Sequence, residues 1–421
     1  MEKQRYSKNG LIALCSFVYF TSYFARKNFA AVTIGMLQAN VLEKSVAGLI
    51  GTAMFVMYGV GQLISGYLGD RIRPKTLILI GLGTTALCNL TMPFITREYL
   101  MIPIWALNGL AQAMLWPPIV HILSEYLPHE TYVKANLLVT SAAHVATVIL
   151  YLYVPVCLNY LNWQAVFISA ATLTAITFAI FIIGLSICLP GNIEKNQTIA
   201  PAIHENNQST TLNSSGGFIK LLLGAGLLPV FGAIISMGFL RDGIESWLPT
   251  LYAEAFNRTA SESTLISVAL PIFSIISVTL ITLLHKKIFQ NEVLGAASMF
   301  IFAILLGIPL ILLINTYSSI GRVVCLILAA LICGVMHSCN FLLISCLPGR
   351  FARFGRAAGA SGICNACTYV GAAISTYGIA LISEKLGWCA TIVSWIIVAA
   401  FGMIFCLAAV KRYTSFYKSE H

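Results

Sequence analysis

The sequence predicts an all-α membrane protein: twelve transmembrane helices arranged as two pseudo-symmetric six-helix halves. Three observations carry that expectation. Of 421 residues, 58% are hydrophobic and only 10% charged, against about 25% charged in a soluble globular domain. The residues that lie between charges form runs of membrane-spanning length. Lys and Arg are unequally shared between alternate loops. A water-facing enzyme, a nucleic-acid binder and a disordered scaffold are poor fits, because too few charges remain to cover a solvated surface.

The elements follow in order along the chain. Runs without Asp, Glu, Lys or Arg occupy 9–25, 45–69, 76–96, 99–124, 135–193, 221–240, 263–285, 293–321, 323–349, 357–383 and 386–410. A spanning helix needs roughly 20 apolar residues. The fifth run is long enough for two spans, and the polar stretch Asn159-Tyr160-Leu161-Asn162-Trp163 is its expected break. Ten single spans and one double run make twelve helices. Barrel strands would be shorter and would alternate in polarity. The basic residues before the first run resemble a signal sequence, but without a small-residue cleavage site the run is read as a retained helix.

Six spans precede a hydrophilic stretch, 191–217, that carries Asn196, Gln197, Glu205, Asn206, Asn207, Gln208 and Ser209. The expected domains are therefore 1–190, a linker at 191–217, and 218–421. With both termini in the cytoplasm, seventeen Lys and Arg fall in inner segments and five in outer loops, as the positive-inside rule requires. The net charge of +10 then reflects topology and contact with anionic lipid rather than nucleic acid. The triplets opened by Asn196, Asn207 and Asn213 would lie on the unglycosylated side. All 12 cysteines fall inside expected spans. Cys364 and Cys367 have C-x-x-C spacing, yet an apolar helix without further ligands favours packing over metal or redox chemistry.

Three basic residues, Arg26, Lys27 and Arg241, lie in or beside spans. A charge at the bilayer centre costs about 2.5–3.5 kcal/mol on insertion scales, so it should face protein or a wet cavity; snorkelling to an interface is the alternative for Arg26. Tyr19, Tyr23 and Arg26 share one helical face by their spacing, a suitable wall for an anion. Arg241 is followed by Asp242 and Glu245, so an internal ion pair is its alternative. Phe24-Ala25-Arg26-Lys27 and Phe239-Leu240-Arg241-Asp242 place an arginine at comparable points of the two halves. A phosphate monoester carries about −1.5 to −2 charge near neutrality, and guanidinium binds its oxygens bidentately. One arginine from each half would clamp such a dianion. His144 is a titratable donor or a packing residue, Gln62 is the notable polar group of the second span, and Trp116-Pro117-Pro118 should break the fourth. Asp242 and Glu245 are the carboxylates available for coupling to protons. No Walker A sequence, nucleophilic triad or metal-ligand set occurs, so neither an enzyme nor a cofactor is expected.

Two six-helix halves related along the membrane normal describe the major facilitator architecture. Gly66-Tyr67-Leu68-Gly69-Asp70-Arg71-Ile72-Arg73-Pro74-Lys75 resembles that family's loop between helices two and three, in which Gly66 allows close helix approach and Asp70 and Arg71 favour one transport state. Further motifs resemble its organophosphate:phosphate antiporter branch, which includes glycerol-3-phosphate and hexose-6-phosphate transporters. They are Arg26-Lys27-Asn28-Phe29; the stretch from Asn108 through Gly109 and Gln112 to Trp116-Pro117-Pro118; Arg241, Gly243, Ile244, Trp247 and Pro249; and Ala357-Ala358-Gly359 with Tyr369 and Gly387-Trp388. The resemblance implies that Arg26 and Arg241 bind phosphate, that His144 matches a helix-five histidine, and that Tyr23, Trp116 and Tyr369 are aromatic positions around that site. Three departures stand out. Gln62 occupies the place of a lysine, Pro271 lies near the place of an acid, and Val145-Ala146-Thr147-Val148 replaces a glycine run.

The expected activity is exchange of an organic phosphate for inorganic phosphate by rocker-switch alternating access. The expected protein is a monomer in a bacterial inner membrane with both termini cytoplasmic. Two alternatives remain: a proton-coupled carboxylate or sugar-acid transporter, and a non-transporting sugar-phosphate receptor.

Overall fold

The described residues are almost wholly helical, and the helices turn apolar side chains outward. Leu63, Leu137, Ile183, Leu283, Leu312 and Phe401 are exposed, an arrangement that suits hydrocarbon and not water. The computed structural model describes residues 7–69, 72–188, 221–222, 224–285, 291–316, 318–354 and 356–418. The expected linker and the loop residues Asp70 and Arg71 lie outside the described residues, as do the surroundings of Gly66.

The first half contains α1 (Lys8–Gln38), α2 (Lys44–Gly69), α3 (Pro74–Thr91), α4 (Met101–Ala113), α5 (Trp116–Tyr126), α6 (His129–Tyr160) and α7 (Trp163–Cys188). The second contains α8 (Leu227–Phe256), the short α9 (Ala260–Ile266), α10 (Ala269–His285), α11 (Glu292–Leu313), α12 (Ser319–Asn340), α13 (Ala357–Lys385) and α14 (Gly387–Lys418). Among the described residues there is no strand, and ten helices are long and apolar enough to cross a bilayer. Two further elements are consistent with the expected twelve. At 31 residues, α1 is about 46 Å long at the standard rise, but Arg26 and Lys27 make it less apolar than the ten. The pair α4 and α5 is one span broken where Trp116-Pro117-Pro118 predicted.

That break has a local cause. The N–H groups of Met114 and Leu115 turn back to the Ala111 and Gln112 carbonyls at 3.1 and 3.3 Å, closing a tight turn. Pro117 and Pro118 then occupy the first turn of α5, where a missing N–H is tolerated. The turn between α6 and α7 likewise falls in the polar stretch at Leu161-Asn162, where Asn162 Oδ1 accepts from the Ala165 N–H at 2.9 Å.

Two compact units emerge from the contacts: Met1–Val41 with Val56–Glu205, and Leu42–Phe55 with Asn206–His421. In the first, α1 lies against α6 and α7, and α3 against α7 and α4. In the second, α8 is the interior helix: 67% of its span is buried, against 33–50% in the other nine. It contacts α13, α14 and α12. The α8–α13 crossing is close enough that a Cβ on Gly238 would strike the Thr368 carbonyl, and one on Gly371 the Ile235 carbonyl. Small residues at a membrane helix crossing serve this purpose. The leading part of α2 belongs to the second unit, where Thr52 Oγ1 donates to the Ala373 carbonyl of α13 at 2.7 Å.

Each end of the second unit carries an ion pair. At one end Lys44 meets Glu254 at 2.6 Å, and Trp388 Nε1 donates to the same carboxylate at 2.9 Å. At the other, buried Glu292 receives Arg350 at 2.9 Å and the Tyr413 hydroxyl at 3.0 Å.

Candidate substrate-binding site

Arg26 lies midway along α1, and the residues around it explain its position. The Ala25 carbonyl just before it accepts from Asn89 Nδ2 at 3.1 Å and from Asn108 Nδ2 at 3.4 Å. Asn28 donates to Asn89 Oδ1 at 2.7 Å, and its own Oδ1 accepts from the Phe29 N–H at 2.9 Å. One turn earlier, Ser22 donates to Gln112 Oε1 at 2.5 Å, and Gln112 Nε2 donates to Thr85 Oγ1 at 3.3 Å. All these groups are buried. Hydrogen bonds in a low-dielectric interior fix geometry strongly, because the alternative is an unsatisfied polar group. The network pins α1 to α3 and α4 on both sides of Arg26.

The guanidinium itself is half-buried and lies over aromatic faces. Its Cζ is 4.1 Å from the centre of the Tyr23 ring and 5.1 Å from that of Tyr58. Tyr23 meets Tyr19 edge-on at 5.1 Å, and Tyr19 meets Trp116 at 4.7 Å. The structure therefore brings Tyr19, Tyr23, Arg26 and Trp116 into one continuous cluster. Cation–π contact gains strength where the cation is desolvated, and it uses the face of the guanidinium plane, whereas the N–H donors lie along its edge. Tyr58 completes the cluster and was not singled out from the sequence, since no spacing rule links α2 to α1.

Gln62 and His144 have partners of a different kind. Gln62 Nε2 donates to the Ala113 carbonyl at 3.4 Å. That carbonyl is four residues before Pro117, whose missing N–H would otherwise have bonded it in a continuous helix. Gln62 thus supplies a donor at the broken span. The half-buried His144 has Nδ1 3.0 Å from the Thr140 carbonyl of its own helix, so that nitrogen carries the proton and Nε2 is the second functional atom.

In the second unit Arg241 stands in the interior helix α8. Its Nη1 donates to Asn340 Oδ1 at 2.6 Å and its Nη2 to Asp242 Oδ2 at 2.7 Å. The ion pair is buried, with side-chain exposures of 12% and 5%, so the internal-pair alternative for Arg241 describes this structure. Glu245 is buried one turn on. Asn340 was not found from the sequence. It is the last residue of α12, and a π-helical turn, Phe341–Cys346, follows it; such irregularities often accompany functional positions. Tyr369 on α13 stacks on Phe55 at 6.4 Å. Cys364 and Cys367 are free thiols, and no group of metal-ligating side chains occurs among the described residues.

Guanidinium and carboxylate groups held inside the spans of a helical, multi-pass membrane protein mark a functional site at membrane depth. Residues 15–376 match the Major Facilitator Superfamily, and the chain belongs to that family. It is a multi-pass integral membrane protein of that family.

Among curated relatives, 28% identity over 110 residues links it to a probable hexose phosphate transport protein of Chlamydia trachomatis, covering 26% of this chain and 24% of that one. The membrane sensor protein UhpC of Salmonella typhimurium is 29% identical over 124 residues, 30% of this chain and 28% of that one. A glycerol-3-phosphate transporter of Bacillus subtilis is 26% identical over 256 residues, 58% of this chain and 57% of that one. The matched stretches thus span about a quarter to somewhat over half of these relatives' lengths. The solved nucleoside transporter NupG superposes with a TM-score of 0.70 at 15% identity, over 96% of this chain and 98% of that one. A bacterial homologue of the human lysosomal transporter Spinster gives 0.71 at 13%, over 96% and 98%. These two likenesses establish the fold.

Proposed function

We propose that the chain transports an organic phosphate of the glycerol-3-phosphate or sugar-phosphate class in exchange for inorganic phosphate. Arg26 and Arg241 are its phosphate ligands, and rocker-switch alternating access is its cycle. The observation that carries this reading is the aromatic-bedded guanidinium of Arg26, braced by buried amides inside a membrane helix. The chlamydial relative, a probable hexose phosphate transport protein, and the Bacillus glycerol-3-phosphate transporter favour a phosphate-bearing solute. In the same reading the protein works as a monomer in a bacterial inner membrane, and His144 and Tyr369 adjust affinity for the substrate.

Arg241 adds a specific requirement. Its fork already donates to Asp242 and Asn340, so an incoming anion competes with the Asp242 carboxylate for the guanidinium. That favours a second reading, a proton-coupled carboxylate or sugar-acid transporter in which Arg26 and Arg241 hold the carboxylate and Glu245 or His144, with Asp242 as a further coupling residue, carries the proton. The similarity to UhpC keeps a sensor as a third.

Counterflow of labelled phosphate in proteoliposomes separates the three. Phosphate exchange without a pH gradient supports the first, uptake that requires the gradient supports the second, and binding without flux supports the third. In the same assay Arg26→Lys and Arg241→Lys should each lower exchange at least about tenfold, because lysine keeps the charge but loses the bidentate fork. Near-normal exchange in both would remove the phosphate-ligand assignment.

A further inference from the structure

A second cluster of basic side chains lies well away from Arg241. Phe256 at the end of α8 lies fifteen positions beyond Arg241, about 22 Å along the axis. Just past that end is a cavity of ≈ 270 Å³ lined by Tyr252, Arg258, Leu265, Ser319, Arg322 and Val323, with Glu262 as its acidic residue. This is below the ~300–1,000 Å³ of sites for drug-sized molecules, so it suits a headgroup or a small ion.

The two arginines come from different elements. Arg258 follows Asn257, which takes a left-handed conformation at the end of α8, and its N–H is tied to the Ala253 carbonyl at 2.9 Å. Arg322 belongs to the first turn of α12, and its guanidinium lies 5.9 Å from the Phe256 ring centre. Ser319 and Val323 belong to the same end of α12, where the helix dipole adds positive potential.

Glu262 does not cancel this charge. Its carboxylate closes the capping box of α9, accepting from the Thr259 N–H at 3.4 Å while Thr259 Oγ1 accepts from the Glu262 N–H at 3.2 Å. It faces Arg258 only loosely, at 3.8 Å, with both side chains more than a third exposed. Two guanidiniums and one committed carboxylate leave a net positive cavity. Its other wall is apolar and open: Leu265 and Val323 are exposed beside it. Charge on one side and exposed hydrocarbon on the other describe the surroundings of a phosphate ester at a membrane surface.

We propose that this cavity is a second anion site, which binds a phosphate group through Arg258 and Arg322. The phosphate comes either from an anionic phospholipid headgroup or from free phosphate in solution. The site does not depend on the assignment of Arg26 and Arg241.

The test uses the purified full chain in nanodiscs. Native mass spectrometry in discs containing phosphatidylglycerol counts retained lipid, and calorimetry in phosphatidylcholine discs measures binding of inorganic phosphate. The double variant Arg258→Gln/Arg322→Gln should lose one of these two by about tenfold, the scale of a charge-assisted bidentate contact. Loss of retained phosphatidylglycerol identifies the lipid source, and loss of a phosphate-binding step identifies the soluble source. A second variant, Glu262→Gln, keeps the capping box, because glutamine also fills that position. It should strengthen the same binding while leaving the thermal midpoint unchanged. Unaltered lipid retention and phosphate binding in the double variant would overturn the proposal. So would weakened binding in Glu262→Gln.

Discussion

At the scale of single residues, the two membrane arginines differ in what holds them. Arg26 lies over Tyr23 and Tyr58, while Arg241 is bound by Asp242 and Asn340. Removing the competing charge should therefore help substrate at Arg241. Asp242→Asn is expected to lower the KM for the transported anion about tenfold, equivalent to about 1.4 kcal/mol, with binding measured in proteoliposomes at fixed pH. A raised KM would show that the carboxylate organises Arg241 instead of occupying it. Asn340→Asp reverses the sign. A second carboxylate on the guanidinium should raise KM while the thermal midpoint is kept. Arg26, Arg241 and Tyr23 were legible in the sequence because a charge inside an apolar run stands out and helical spacing links neighbours on one helix. Tyr58, Asn89 and Asn340 were not, because each meets its arginine or its brace from another helix, and spacing within one segment carries no information about such partners.

At the scale of elements, the α8–α13 crossing shows why some glycines matter and others do not. Gly371→Val should destabilise the protein by at least about 3 kcal/mol, the upper part of the overpacking range, read as a lower thermal midpoint in detergent. The new side chain must displace the backbone of α8 at Ile235. Gly378 lies on the same helix with open space where its Cβ would be, and Gly378→Ala should be neutral or stabilising by up to about 1 kcal/mol. Equal losses in the two variants would mean that helix propensity, not the crossing, sets the cost. The helices themselves were readable from uncharged runs, and the break in the fourth span from two adjacent prolines. The crossing was not, since 32 glycines look alike until their neighbours are known. The π-helical turn after Asn340 was equally hidden: Phe341–Cys346 is apolar and continues the preceding pattern without a breaker.

At the scale of the whole molecule, the orientation rests on the distribution of Lys and Arg. The stretch at 191–217 is expected to be cytoplasmic. Cysteine introduced at Ser209 in a cysteine-depleted background should then resist an impermeant thiol reagent applied to intact cells. Ready labelling would invert the topology, and would move the Arg258–Arg322 cavity from the outer face to the inner one. The broken span has a mechanical consequence. A continuous helix resists bending because each bend stretches carbonyl–amide pairs on its outer side. Between Ala113 and Pro118 two of those pairs cannot exist, since Pro117 and Pro118 have no N–H, and Gln62 from α2 stands in for one donor. The fourth span is therefore a flexure: two stiff rods joined by a short compliant segment whose restoring force comes from a neighbouring helix.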